Sequence, residues 1–203
     1  IKAATGDASI DVNNVNGFSG KVTVDMFFKT GELPKQCDLV AMKNGNTTNI
    51  VVIQTAITTF PTTVTITGSQ LTALGVLALG DKITFGVNVT LQNGQIVEAF
   101  PKLGIPYGSS VGAQTGASTS VDYVVVCPFV QAVYNGQFVV EVDEWEDYLP
   151  GEVVNVSPGP AANQISLVVY PNPAYGINRK PIIVDVTPTG TATVAAQVYG
   201  DYL

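Results

Sequence analysis

The sequence predicts an all-β protein: an immunoglobulin- or fibronectin-like sandwich followed by a small antiparallel β-meander or partial barrel. Three observations predict it. Apolar and polar residues alternate with a period of two over most of the chain, as half-buried strands require. The alternating runs are short and are separated by Asn-Gly, Pro-Gly and related turn signals. Helical spacing is confined to residues 69–75.

In chain order, residues 7–12 read as a first strand. Lys21-Val22-Thr23-Val24-Asp25-Met26-Phe27-Phe28 alternates cleanly and forms a second. Residues 37–43 and 49–54 flank Asn44-Gly45-Asn46, a hairpin signal. Residues 64–67 alternate briefly. Ser69-Gln70-Leu71-Thr72-Ala73-Leu74-Gly75 reads as one helical turn crossing between sheets: Ser69 caps it, Leu71 and Leu74 face inward, and Gly75 stops it. Gly80-Asp81 then turns the chain into a long strand over residues 83–91. Asn93-Gly94 follows, a type I′ signal because both positions tolerate positive φ, and residues 96–100 return. Short strands at this density describe a sandwich of the looser immunoglobulin-like class, since the Cys…Trp…Cys spacing of true immunoglobulin domains is missing.

Residues 101–120 break the pattern with four glycines (104, 108, 112 and 116) and read as a linker. Alternation resumes over residues 121–129, 134–142, 152–156, 164–170, 181–186 and 191–198. The turns between are Pro150-Gly151, Ser157-Pro158-Gly159-Pro160, Pro171-Asn172-Pro173 and Pro188-Thr189-Gly190. Two domains are expected, 1–117 and 118–203. Charge supports the division: the first stretch carries seven acids and seven bases, whereas the second has nine acids against Arg179 and Lys180, so the whole net charge of -7 lies there.

Composition excludes several functions. The 203 residues contain one Arg and an excess of acids, which leaves no clustered cations to neutralise nucleic-acid phosphates. No histidine is present, so Ser-His-Asp and Cys-His catalysis and histidine metal ligation are excluded. No apolar run approaches the ~20 residues of a membrane-spanning helix. The chain starts without Met, which fits a mature or trimmed form that has shed a signal peptide or lipid anchor. No cofactor is expected. Cys37 and Cys127 are the only thiols. They either pair in an oxidising compartment or pack as small hydrophobes in their β-like runs.

Asp143-Glu144-Trp145-Glu146-Asp147-Tyr148 is the densest polar feature, with four carboxylates, the only Trp and a Tyr. Trp145 and Tyr148 could stack on a sugar ring while the acids accept from its hydroxyls. Asp143, Glu144, Glu146 and Asp147 are a weak calcium candidate, because Ca²⁺ wants ~6–8 oxygens and the spacing misses the EF-hand loop. Two of the carboxylates could form a glycosidase acid–base pair. The bland alternative has the two aromatics plugging the meander core and the acids solvated. The second candidate is the segment Tyr170-Pro171-Asn172-Pro173-Ala174-Tyr175-Gly176-Ile177-Asn178-Arg179, a long hairpin tip that presents Tyr175 and Arg179. Its bland alternative, the favoured one, is a rigid turn set by its prolines.

The second half resembles a module of Bacteroidetes outer-membrane and surface lipoproteins. The resemblance rests on Val121-Asp122-Tyr123-Val124-Val125-Val126-Cys127-Pro128-Phe129, on Gly136-Gln137-Phe138-Val139-Val140, and on Asp143-Glu144-Trp145-Glu146-Asp147-Tyr148-Leu149-Pro150-Gly151-Glu152. The ending Pro181-Ile182-Ile183-Val184-Asp185-Val186 through Gly190-Thr191-Ala192-Thr193-Val194 fits as well. The stretch before Gly80-Asp81-Lys82-Ile83-Thr84-Phe85 looks like the immunoglobulin-like domain that often precedes such modules. The resemblance implies an exported, non-enzymatic protein at the outer membrane, cell surface or periplasm, of the starch-utilisation (SusE-like) kind. Its expected partner is a glycan or an outer-membrane protein complex, with the membrane reached only through an upstream lipid anchor. The alternative is a purely structural subunit; a carboxylate-based glycosidase is the third reading.

Overall fold

A computed structural model describes residues 1–3, 9–28, 30–104, 113–144, 146–168 and 176–202. The protein is all-β, as the alternation predicts. It divides into two compact units, Ile1–Cys127 and Pro128–Leu203.

The first unit contains β1 (Lys2–Ala3), β2 (Ser9–Asp11), β3 (Ser19–Val24), β4 (Gln36–Lys43), β5 (Ile50–Ile57), β6 (Thr62–Thr67), the short helix α1 (Gly68–Thr72), β7 (Lys82–Thr90), β8 (Ile96–Val97) and β9 (Ser120–Val126). One sheet has the order β1-β3-β6; the other has β2-β9-β7-β4-β5, with β8 beside β7. The chain changes sheets five times: between β1 and β2, β2 and β3, β3 and β4, β5 and β6, and β6 and β7. This is the two-layer arrangement of a β-sandwich. Inward residues of both sheets form one core: Val22, Val24, Val64 and Ile66 from the first, and Ile10, Leu39, Ile83, Phe85, Tyr123 and Val125 from the second. Tyr123 is fully buried among Phe18 and Phe85 in edge-to-face contacts, and its hydroxyl donates to the Lys21 carbonyl at 3.0 Å. The hydroxyl has a partner, so the ring is buried without stranding a polar atom.

The domain boundary lies beyond the 117/118 division expected from composition. The strand assigned to the second module, β9, pairs antiparallel with β7 and parallel with β2, and so belongs to the first unit's sheet. The acidic surplus begins close to the linker, and composition alone cannot show which sheet a strand joins.

Two local expectations change. Thr67, not Ser69, is the N-cap of α1, and its N–H donates to Gln70 Oε1 at 2.8 Å. Leu71 and Leu74 are buried and Gly75 ends the turn at φ +95°, as read from the sequence. The type I′ geometry lies at Asn44-Gly45, where φ is 51° and 72°, with Asn46 N–H donating to the Lys43 carbonyl at 2.9 Å. At Asn93-Gly94 only Gly94 has positive φ, and Gly94 N–H bonds the Leu91 carbonyl while Leu91 N–H bonds that of Gln95. That is a three-residue loop closed by a glycine bulge.

The second unit contains β10 (Gly136–Val139), β11 (Val153–Pro158), β12 (Gln164–Val168), β13 (Gly176–Ile177), β14 (Ile182–Val186), β15 (Ala192–Thr193) and β16 (Asp201–Tyr202). Five of these form one antiparallel sheet in the order β10-β11-β12-β14-β15, and β13 pairs with β16. The expected final strand over 191–198 shortens to Ala192–Thr193. Beyond it, the Gln197 side chain takes over strand-like bonding: its Oε1 accepts from Ile183 N–H, and its Nε2 donates to the Ile183 carbonyl, both at 2.9 Å.

A candidate ligand cleft at one end of the first unit

The strand predicted over residues 21–28 stops at Val24. Asp25 ends it, because its carboxylate accepts from the next N–H, that of Met26, at 2.8 Å. Met26, Phe27 and Phe28 therefore leave the sheet. Phe27 and Phe28 pair edge-to-face with centroids 5.0 Å apart, both exposed. Met26 and Phe27, with the ends of neighbouring strands, line a cleft of about 880 Å³ between the two layers. That volume lies in the range of sites for small organic ligands, ~300–1,000 Å³.

The floor is apolar and comes from core positions: Val24 of β3, Cys37 of β4, and Val87 and Val89 of β7, with Phe60 from the segment before β6. The mouth carries Phe27, Leu33 and Leu91, all exposed. Charged and polar side chains lie around them: Lys2, Asp25 and Glu32, with Gln92, Asn93, Ser118 and Thr119. The rim is cross-braced. Gln92 Nε2 donates to the Leu33 carbonyl at 2.8 Å, and Lys35 N–H donates to that of Thr90 at 2.8 Å, joining the 91–95 loop to the segment entering β4. Asn93 Oδ1 accepts from Gln95 N–H at 2.9 Å and fixes the loop tip. At the floor, burial pushes the Cys37 thiol up to about 11, with the neighbouring Asp38 carboxylate adding to the shift. Cys37 is a neutral hydrophobe at ordinary pH. Cys37 and Cys127 are both free thiols, so the disulfide alternative is not what the fold uses.

Of the residues singled out from the sequence, Tyr148 and Arg179 belong to the second unit and do not line this cleft. Trp145 and Tyr175 fall outside the described residues. Tyr148 is half-buried, and its N–H donates to Asp143 Oδ2 at 3.1 Å, which closes the acidic loop on itself. Leu149 N–H does the same with Glu152 Oε2 at 2.8 Å. Arg179 is exposed and its Nε donates to the Gly176 carbonyl at 3.1 Å, bracing its own hairpin. Among the described residues no three acidic or thiol side chains gather closely enough to hold a metal ion, so Asp143, Glu144, Glu146 and Asp147 do not make the calcium cage considered from their spacing. No described helix is long and apolar enough to cross a membrane.

The fold and the cleft define an all-β protein whose first unit is a sandwich open at one end to a ligand-sized, apolar-floored cavity. Compared with protein-family models, curated proteins and solved structures, the chain matches none.

Proposed function

We propose that the protein is a non-catalytic binding protein of the exported, surface type, that it captures a glycan, and that the cleft of the first unit is its site. One observation carries this reading. The same cavity presents the exposed aromatic ring of Phe27 beside the carboxylates of Asp25 and Glu32 and the amides of Gln92 and Asn93. A pyranose needs this combination: an apolar face to lie against a ring, and acceptors and donors for the hydroxyls at its edge. The braced rim supports it further, since a preformed site spends little binding energy on ordering. The setting at a cell surface rests on the sequence resemblance.

A glycan array screened with the full chain tests the reading. Phe27→Ala weakens binding about two- to tenfold, the worth of one exposed ring contact. Tyr148→Ala and Arg179→Ala leave it unchanged. Absence of binding by the wild-type chain, or loss confined to the Tyr148 and Arg179 variants, overturns the assignment.

A second reading, an accessory subunit docking on a larger complex, is favoured by one feature of the second unit. Val139 and Val153 are directly opposed across β10 and β11 and both are more than half exposed. An exposed apolar cross-strand pair is an unsatisfied surface. Capture of an outer-membrane complex by the full chain, lost in Val139→Lys and retained in Phe27→Ala, selects this reading.

A further inference from the structure

We infer that the ligand of the cleft is a sugar carrying an aliphatic chain, with the chain on the floor and the sugar at the rim. The inference rests on the glycan reading and names the ligand class more closely. It follows from the unequal chemistry of the cavity with depth. The floor residues Val24, Cys37, Val87 and Val89 offer a hydroxyl no partner beyond a weakly bonding thiol, and that thiol is held neutral by burial. A sugar ring driven to this depth would strand its hydroxyls against aliphatic side chains, and an unpaired buried polar group opposes binding. A bare glycan would therefore occupy only the rim and leave the floor to water, which gains little against Val and Phe. An alkyl or acyl chain has the opposite preference. It displaces that water, fills the space beside Val87 and Val89, and has no polar atom to satisfy.

The head of such a ligand meets different groups. Asp25, Glu32, Gln92 and Asn93 are carboxylates and amides at the mouth, able to accept from and donate to neutral hydroxyls. Lys2 stands in the same lining as the two carboxylates, so charge alone does not choose the head; the neutral amides of Gln92 and Asn93 are the groups that suit sugar hydroxyls. Phe27 and Leu33 stand where chain and head join.

Calorimetric titration of the full chain tests this with three probes, each below its micelle threshold: n-octyl β-glucoside, methyl β-glucoside and n-octyl phosphocholine. The octyl glucoside is expected to bind at least tenfold more tightly than either of the others. Leu33→Asp, at an exposed position that the fold tolerates, is expected to lower that affinity at least tenfold without changing the melting temperature. In a Cys127→Ser background, octyl glucoside is expected to slow alkylation of Cys37, because the chain covers the floor. Equal affinity for the octyl and methyl glucosides overturns the inference and leaves the glycan reading standing. Equal affinity for octyl glucoside and octyl phosphocholine overturns the sugar at the rim. Binding indifferent to Leu33→Asp, with Cys37 unprotected, shows the amphiphile lying elsewhere and also overturns it. Binding of no probe, with no glycan retained on the array, removes the glycan reading as well.

Discussion

The Asn44 carboxamide joins two turns through Asp81. Its nitrogen donates to Asp81 Oδ1 at 2.7 Å, while its oxygen accepts from Lys82 N–H at 2.8 Å. Asp81 Oδ2 accepts in turn from Ala78 N–H at 2.8 Å and lies 3.5 Å from Lys43 Nζ. The β4–β5 hairpin and the start of β7 are thereby fixed to each other at one corner of the sandwich.

This corner makes stability acid-sensitive. The Ala78 N–H holds the Asp81 carboxyl below its ordinary value of 3.8; burial opposes this, and Asn44 and Lys43 reinforce it. A group whose folded pKa is depressed contributes stability above its unfolded pKa and loses it as pH falls through the folded value. Asp81→Asn is expected to cost about 1–3 kcal/mol at pH 7, because the amide cannot accept at both atoms. The penalty shrinks below pH 3.8, where wild type begins to lose the same contribution. Melting temperatures of both proteins at pH 7 and pH 3 measure it.

Gly86 allows the segment after β8 to lie against the sheet. A Cβ there would come within 2.7 Å of both Ala99 Cβ and Phe100 Cζ. Gly86→Val is expected to destabilise by about 1–3 kcal/mol through overpacking. Phe100→Ala in the same chain should recover part of that loss, a coupling that a double-mutant cycle by denaturant titration reads directly.

Cys37 and Cys127 should differ in reactivity. With its pKa raised from 9.0 to about 11, Cys37 holds about a hundredfold less thiolate near neutral pH than an ordinary cysteine. Cys127 is half-buried, with Asn13 Nδ2 3.4 Å from its sulfur. Alkylation followed by peptide mass mapping is expected to label Cys127 first at pH 8. Cys37 should catch up only as pH rises towards 11.

The unit boundary makes a sharp truncation test. Residues 1–127 are expected to fold alone with a cooperative melt. Residues 1–117 are not, because they lack β9 and with it the buried Tyr123 and Val125. Circular dichroism and a thermal melt of each fragment decide it.

Much of this architecture can be read from local pattern. Leu71, Leu74 and Gly75 announce their turn because capping and spacing act within a few residues. The two Asn-Gly pairs show the limit. Both signal hairpins, yet Asn44 adopts positive φ because Asp81 and Lys82 bind its side chain, and Asn93 has no such lock. That difference is tertiary. The cleft is the larger case. Its floor comes from Val24, Cys37 and Val87, three residues that each read as ordinary strand interior. What opens the space is the end of β3 at Asp25, and a six-residue strand followed by Asp looks in sequence like an eight-residue strand. Asp143 and Tyr148 stand out in the sequence because acids and aromatics crowd there, and the structure joins these two through the Tyr148 N–H and the Asp143 carboxylate, while Trp145 lies outside the described residues.

The pairing of β2 with β9 has a mechanical meaning. Ser9, Ile10 and Asp11 lie opposite Val124, Val125 and Val126 in parallel register, so the strands nearest the two ends of the first unit point the same way. When the chain is drawn from both ends and the two-residue β1 has let go, tension slides these strands along their length. Their ladder bonds carry the load together, whereas an antiparallel hairpin peeled from its open end surrenders them one at a time. Once β1 has gone, the resistance of the first unit to stretching between its ends lies in three residues of β2.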